Sequence, residues 1–100
     1  MSRLTPLELR GNSLPVAGAK AMAKFLEGAD CKVVTLDLSS NHLTTKGASI
    51  LLPALKKNTS LQHLDLSKNW LNDGVAPIVI DMLQNNSTLL ELNLKFNKGM

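Results

Sequence analysis

The chain has 100 residues, 44% of them apolar, 19% charged and 3% aromatic, with a formal charge of +3. That describes one ordinary domain and excludes a multidomain enzyme. No apolar run approaches the roughly 18 to 20 residues of a membrane-spanning helix, and the amino terminus lacks the segments of a signal peptide, so a cytoplasmic protein without membrane contact is expected. Cys31 is the single cysteine. It allows neither an internal disulfide nor a thiolate zinc site, which leaves packing to hold the fold, with no metal or cofactor expected.

In chain order, the first segment reads Leu4, Leu7, Leu9, Asn12, Leu14. Leu7 and Leu9 alternate with polar residues, as in a strand with one buried side. Ala19, Met22, Ala23 and Leu26 follow at the spacing of an apolar helix stripe. A loop over 27–32 holds Cys31 and the one extra residue of this unit. The pattern then recurs as Val33, Leu36, Leu38, Asn41 and Leu43, with a helix carrying Ala48, Leu51, Leu52 and Leu55. Pro53 falls deep in that helix and is expected to bend or shorten it. The third copy runs Leu61, Leu64, Leu66, Asn69 and Leu71, with Ala76, Val79, Ile80 and Leu83 as its stripe. Pro77 falls in the first turn, where a missing N–H is tolerated. A fourth copy opens with Leu89, Leu92, Leu94 and Asn97 and has Gly99 in its last slot. The offsets between copies are 29, 28 and 28 residues.

Each unit is thus a short strand, a turn and a helix, and no unit can cover its own leucines. Parallel stacking is the expected remedy. The turn leaves backbone amides and carbonyls pointing inward, and a buried carboxamide satisfies both. Asn12, Asn41, Asn69 and Asn97 are therefore expected to form a structural ladder. Gly18 and Gly47 mark a close approach of helix and strand layers. In the third unit Val75 takes that place and Gly74 comes one residue early, so the start of its helix should shift.

Units of 28 and 29 residues with LxxLxLxxNxL and a G-A-x-x-L-type helix resemble the ribonuclease-inhibitor class of leucine-rich repeat over residues 4 to 97. The resemblance implies an α/β right-handed solenoid, a horseshoe arc with a concave parallel sheet of four strands and convex helices. It implies one domain over 1–100, with repeats at about 4–32, 33–60, 61–88 and a partial 89–100. Proteins of this class include ribonuclease inhibitor, the sensing halves of NOD-like receptors, GTPase activators for Ran and tropomodulin-type actin regulators. Their partners usually meet the concave face or the loops at the strand ends.

The outward columns of the strands are then Pro6/Glu8/Arg10, Thr35/Asp37/Ser39, His63/Asp65/Ser67 and Glu91/Asn93/Lys95. Glu8, Asp37 and Asp65 stand in register about 4.8 Å apart and repel one another unless screened. They serve either a protein partner or the wetting of the sheet. A metal at stacked carboxylates lacks an enclosing loop of oxygen ligands. Lys20, Lys24, Lys56 and Lys57 lie on the helical side, so the positive charge is a solvated outer face rather than a nucleic-acid site. Trp70, one residue after its ladder asparagine, is expected at the loop rim, as a contact anchor or as a lid over its neighbour's loop. Phe96 is a second aromatic candidate, exposed or buried beneath a following unit. The candidate partner-binding set is Glu8, Arg10, Asp37, His63, Asp65, Trp70, Glu91, Lys95 and Phe96.

Catalysis has little support. His63 and Asp65 share a face and are close enough to hydrogen-bond, but no nucleophile elbow or phosphate loop accompanies them. The leading reading is a non-enzymatic scaffold for a protein partner. Its alternatives are a GTPase activator acting through Arg10 and a structural segment of a larger receptor-like array. The sequons at Asn58, Asn85 and Asn86 are read as coincidental. Neither end shows an obvious cap, which leaves three outcomes: an excised piece of a longer repeat protein, self-association through the ends, or an imperfectly capped monomer.

Overall fold

The computed structural model describes residues 7–11 and 13–97. Strands β1 (Leu7–Glu8), β2 (Thr35–Asp37), β3 (His63–Asp65) and β4 (Glu91–Asn93) form one parallel sheet in chain order. Leu7 pairs with Leu36, Leu36 with Leu64 and Leu64 with Leu92. A slip of one residue would turn each leucine to the opposite face, so burial of this column holds the register. Helices α1 (Val16–Glu27), α2 (Thr44–Leu51) and α3 (Ala76–Gln84) supply the crossovers that parallel strands need. Leu36, Leu38, Leu64 and Leu66 of the sheet segments are buried in one core with Ala19, Leu26, Leu51 and Leu55 of the helical segments.

The proline irregularities and the displaced Gly74 fall where expected. At Pro53, which has no N–H to donate, α2 has given way to a 3₁₀ turn over Leu52–Lys56. The third unit begins its helical half with a 3₁₀ turn, Asp73–Val75, capped by the Asn72 side chain accepting from Gly74 N–H at 2.8 Å. Gly18 and Gly47 make room for a different neighbour than the strand layer. A Cβ would lie 2.7 Å from Cδ1 of Leu14 at the first and 2.6 Å from Cδ1 of Leu43 at the second. The close approach is therefore to the turn leucine four residues earlier in the same unit.

The third helical stripe differs from the expected one. Val75, Val79 and Met82 are buried, whereas Ala76, Ile80 and Leu83 are exposed. The equivalents of the exposed set in the first two units, such as Ala23 and Leu52, or Leu26 and Leu55, are all buried. Burial at these places comes from the unit that follows.

The asparagine ladder holds for Asn41, Asn69 and Asn97; Asn12 lies outside the described residues. The Asn69 carbonyl oxygen accepts from the backbone N–H of Asn41 and of Leu43, both at 3.0 Å, and its amide donates to the Leu38 carbonyl at 2.9 Å. Asn97 repeats this for Asn69, Leu71 and Leu66. Stranding such a buried group would cost about 1–3 kcal/mol.

A second asparagine pair, unforeseen from the sequence, closes the other end of each unit. Asn58 donates to the Leu26 carbonyl at 2.9 Å and accepts from Ser60 and Leu61 N–H. Asn86, 28 residues on, donates to the Leu55 carbonyl and accepts from Thr88 and Leu89 N–H. Two of the three sequons are thus carboxamides employed in linking a helix end to the next strand. Their recurrence as Asn58-Thr59-Ser60-Leu61 and Asn86-Ser87-Thr88-Leu89 was the available signal.

Candidate protein-binding surface

The sheet presents a shallow groove of about 340 Å³ bordered by Glu8, Asp37, His63, Asp65, Glu91 and Asn93. The register places Glu8 beside Asp37, Asp37 beside Asp65 and Asp65 beside Asn93. These side chains also shape the turns. Asp37 accepts from Ser39 N–H at 2.9 Å, Asp65 from Ser67 N–H at 2.9 Å, and Asn93 from Lys95 N–H at 2.9 Å. Each is an Asx-type turn that halts its strand. Ser39 and Ser67, read from the alternation as outward, are instead buried beside these caps, because the chain has already begun to turn.

Repulsion along the column is partly relieved. The Arg10 guanidinium donates to Ser39 Oγ at 3.1 Å and lies 3.5 Å from Asp37. Partial burial alone would raise the Asp37 carboxyl, but hydrogen bonds from Ser39 and the nearby Arg10 charge outweigh it and hold the group below its ordinary 3.8. Arg10 is thereby held on the sheet. His63 does not join Asp65; its Nδ1 lies 3.0 Å from Glu91 Oε1 on the adjacent strand. The cross-strand neighbour is nearer than a residue two places along the same strand, about 4.8 Å against nearly 7 Å. Glu91 and Lys95 are both exposed on β4 and the segment after it.

Beyond the strands the backbone enters the left-handed region at recurring positions, and once more at Thr44 after β2. The first column is Gly11, Ser40, Lys68 and Phe96, with φ of 73°, 58°, 57° and 60°. The second is Ser13, His42 and Trp70, with φ of 52°, 54° and 62°. Such values cost a non-glycine residue about 1–2 kcal/mol. The bulky residues Phe96 and Trp70 occupy them while 73% and 51% exposed. Trp70 lies over the neighbouring loop with its ring centroid 5.4 Å from that of His42, and Lys68 Nζ stands 5.7 Å from the Phe96 centroid. Trp70 thus contacts the loop of the preceding unit while its side chain is about half exposed.

The family model for the Leucine Rich repeat matches residues 29–51 and 57–74. Those two segments span the second unit's strand and helix and the third unit's strand and turn. A search of curated proteins finds similarity to NLR family member X1 of Homo sapiens, 39% identical over 62 residues, and to that of Rattus norvegicus, 36% identical over 62 residues. Each match covers 62% of this chain and 6% of the relative, so the chain spans only a small part of the proteins it resembles. Asp37, His63, Asp65 and Trp70 lie within the matched repeats; Glu8, Arg10, Glu91, Lys95 and Phe96 lie outside them. The match to this repeat is consistent with an interaction or regulatory segment. Among the described residues no three His, Cys, Asp or Glu side chains gather as metal ligands, and no helix is long and apolar enough to cross a membrane.

Proposed function

We propose that the chain is a cytoplasmic protein-interaction scaffold that grips a protein partner between its concave sheet and the adjoining loop rim. The binding set is Glu8, Arg10, Asp37, His63, Asp65, Trp70, Glu91, Lys95 and Phe96. In this reading the chain is of the ribonuclease-inhibitor-like class, a right-handed horseshoe solenoid with repeats over 4–32, 33–60, 61–88 and a partial 89–100. The observation that carries the proposal is Trp70: a large ring, half bare, at a left-handed position where Ser13 suffices in the first unit. A half-exposed aromatic ring at a strained rim position supports a contact role. The likeness to NLR family member X1 favours a second, compatible reading, in which this segment is part of a longer receptor-like array.

The test uses substitutions with precedents at equivalent positions. Trp70→Ser imports Ser13, and Asp37→Asn with Asp65→Asn imports the turn cap already made by Asn93. A partner captured by the intact chain and identified by mass spectrometry is titrated against each variant. Trp70→Ser should weaken binding about tenfold or more, and the double asparagine variant should lower both affinity and its salt dependence. Lys20→Ala/Lys24→Ala on the helical side should leave both unchanged. Undiminished binding by the rim and sheet variants, or loss on the helical side alone, overturns the proposal.

A further inference from the structure

Arg10 demonstrates what the concave face can hold. Its Nε donates to Ser39 Oγ at 3.1 Å and its Nη2 lies 3.5 Å from Asp37 Oδ2, so one guanidinium spans a hydroxyl and a carboxylate two residues apart in the second unit. The arginine side chain is 69% exposed, so it rests on this pair from the open side of the sheet. The third unit repeats the pair as Asp65 and Ser67, 28 residues on. Ser67 N–H donates to Asp65 Oδ1 at 2.9 Å, as Ser39 N–H does to Asp37 Oδ1, and the Ser67 hydroxyl donates its hydrogen to the same Asp65 oxygen at 2.7 Å. That leaves the Ser67 oxygen to accept and Asp65 Oδ2 to pair. The units differ in the cation that the chain itself supplies. The residue that stands to Asp65 as Arg10 stands to Asp37 is Ser39, whose side chain is too short, and among the described residues no basic side chain lies within ion-pair distance of Asp65. His63, two residues before it, is turned to Glu91.

We propose that Asp65 and Ser67 receive an arginine side chain of the protein partner, held as Arg10 is held by Asp37 and Ser39. The inference rests on the scaffold reading above and gives the chemistry of one contact within it. Asp65 borders the groove and stands between Asp37 and Asn93 in the register, so the site lies inside the sheet with a strand on either side. Its surroundings favour a cation, because Asp37 beside it repels it and Glu91 borders the same groove. Ser67 is 7% exposed, no more enclosed than the 3% of Ser39, on which Arg10 already rests. The arrangement favours arginine over lysine. Nε and Nη2 lie on one rigid plane and serve hydroxyl and carboxylate together, whereas an ammonium is a point charge without that matched pair of donors. The equivalent places hold Glu8 and Arg10 in the first unit and Asn93 and Lys95 in the fourth, without the hydroxyl. The two middle units thus carry one such pair for the chain's own arginine and one for a partner's.

Titration of the isotope-labelled chain with N-acetyl-arginine amide, read at the backbone amides by NMR, tests the site without a partner. The Ser67 N–H signal should shift saturably, with a Kd on the order of 10 mM for a single exposed ion pair. The lysine and citrulline amides, at matched ionic strength, should bind at least about threefold more weakly. Ser39 N–H should stay still in the native chain and respond as Ser67 does in Arg10→Ala, where the internal occupant is gone. Asp65→Asn, which imports the turn cap that Asn93 already makes, should weaken the Ser67 response about tenfold, and should lower the affinity of a captured partner as well. Circular dichroism checks folding, and Ser67→Ala, read at the Asp65 amide, takes the place of Asp65→Asn should that variant unfold. An unresponsive Ser67, a response equal for arginine and lysine, or a Ser39 that stays still in Arg10→Ala overturns the guanidinium site and leaves the scaffold reading standing. A responsive Ser67 with partner binding unmoved by Asp65→Asn overturns the assignment of that site to a partner.

Discussion

Ala54 in the middle unit and Phe25 in the first occupy the same place after their turn leucines, as do Leu55 in the middle and Leu83 in the third. The middle pair is wholly enclosed and the outer pair is half bare. A position in the repeat sets which way a side chain points, and the neighbouring unit decides whether it leaves water. The middle unit has two neighbours among the described residues, and its burial is correspondingly complete. Stability should therefore be concentrated there, in keeping with a stack whose energy is a sum of unit and nearest-neighbour contributions.

The largest break in this comparison should come from one truncation made twice. Leu55→Ala is expected to destabilise by about 3 kcal/mol, since it removes enclosed methyl groups and leaves a cavity. Leu83→Ala, at the same place in the third unit, should cost only about 0.5 kcal/mol in the dilute chain. Urea unfolding followed by circular dichroism reads both, and equal losses would contradict the comparison.

A smaller contrast should separate the two turn glycines. At Gly47 a Cβ would press on Leu43 Cδ1 at 2.6 Å and Cγ at 2.8 Å, and Leu43 is buried with no room to give. At Gly18 the contact with Leu14 Cγ relaxes to 3.3 Å, and that leucine is only partly buried. Gly47→Ala should cost about 1–3 kcal/mol by overpacking, and Gly18→Ala clearly less, because its neighbour can swing aside and alanine favours a helix. Thermal melts of the two variants would sharpen the difference between an enclosed unit and an end unit.

Much of this was legible before the structure. The spacing Leu-x-x-Leu-x-Leu-x-x-Asn predicted the strand register, the ladder and the position of Trp70, because period two and an obligatory carboxamide leave few alternatives. Pro53 announced a shortened second helix and the displaced Gly74 a shifted start to the third, though not the 3₁₀ form that both places take. What escaped depended on neighbours. Alternation placed Ser39 and Ser67 outward, but a carboxylate two residues earlier captures their backbone and bends the strand end. His63 was matched to Asp65 along the strand, whereas its partner came from the adjacent one. The third stripe was drawn by analogy with units whose forward column is covered, and Ile80 and Leu83 lack that cover among the described residues. For the candidate surface the sequence identified the outward residues but not their double use: Asp37, Asp65 and Asn93 cap turns as well as line the groove.

Native-state hydrogen exchange on the dilute chain tests most directly whether neighbours confer stability. The amides of Leu38, Leu64 and Leu66, within or directly after the strands flanked on both sides, should exchange most slowly, through opening of the whole fold. Those of α3 and β4 should exchange markedly faster, through local opening of the third unit. Protection of α3 and β4 equal to that of β2 and β3 would contradict it.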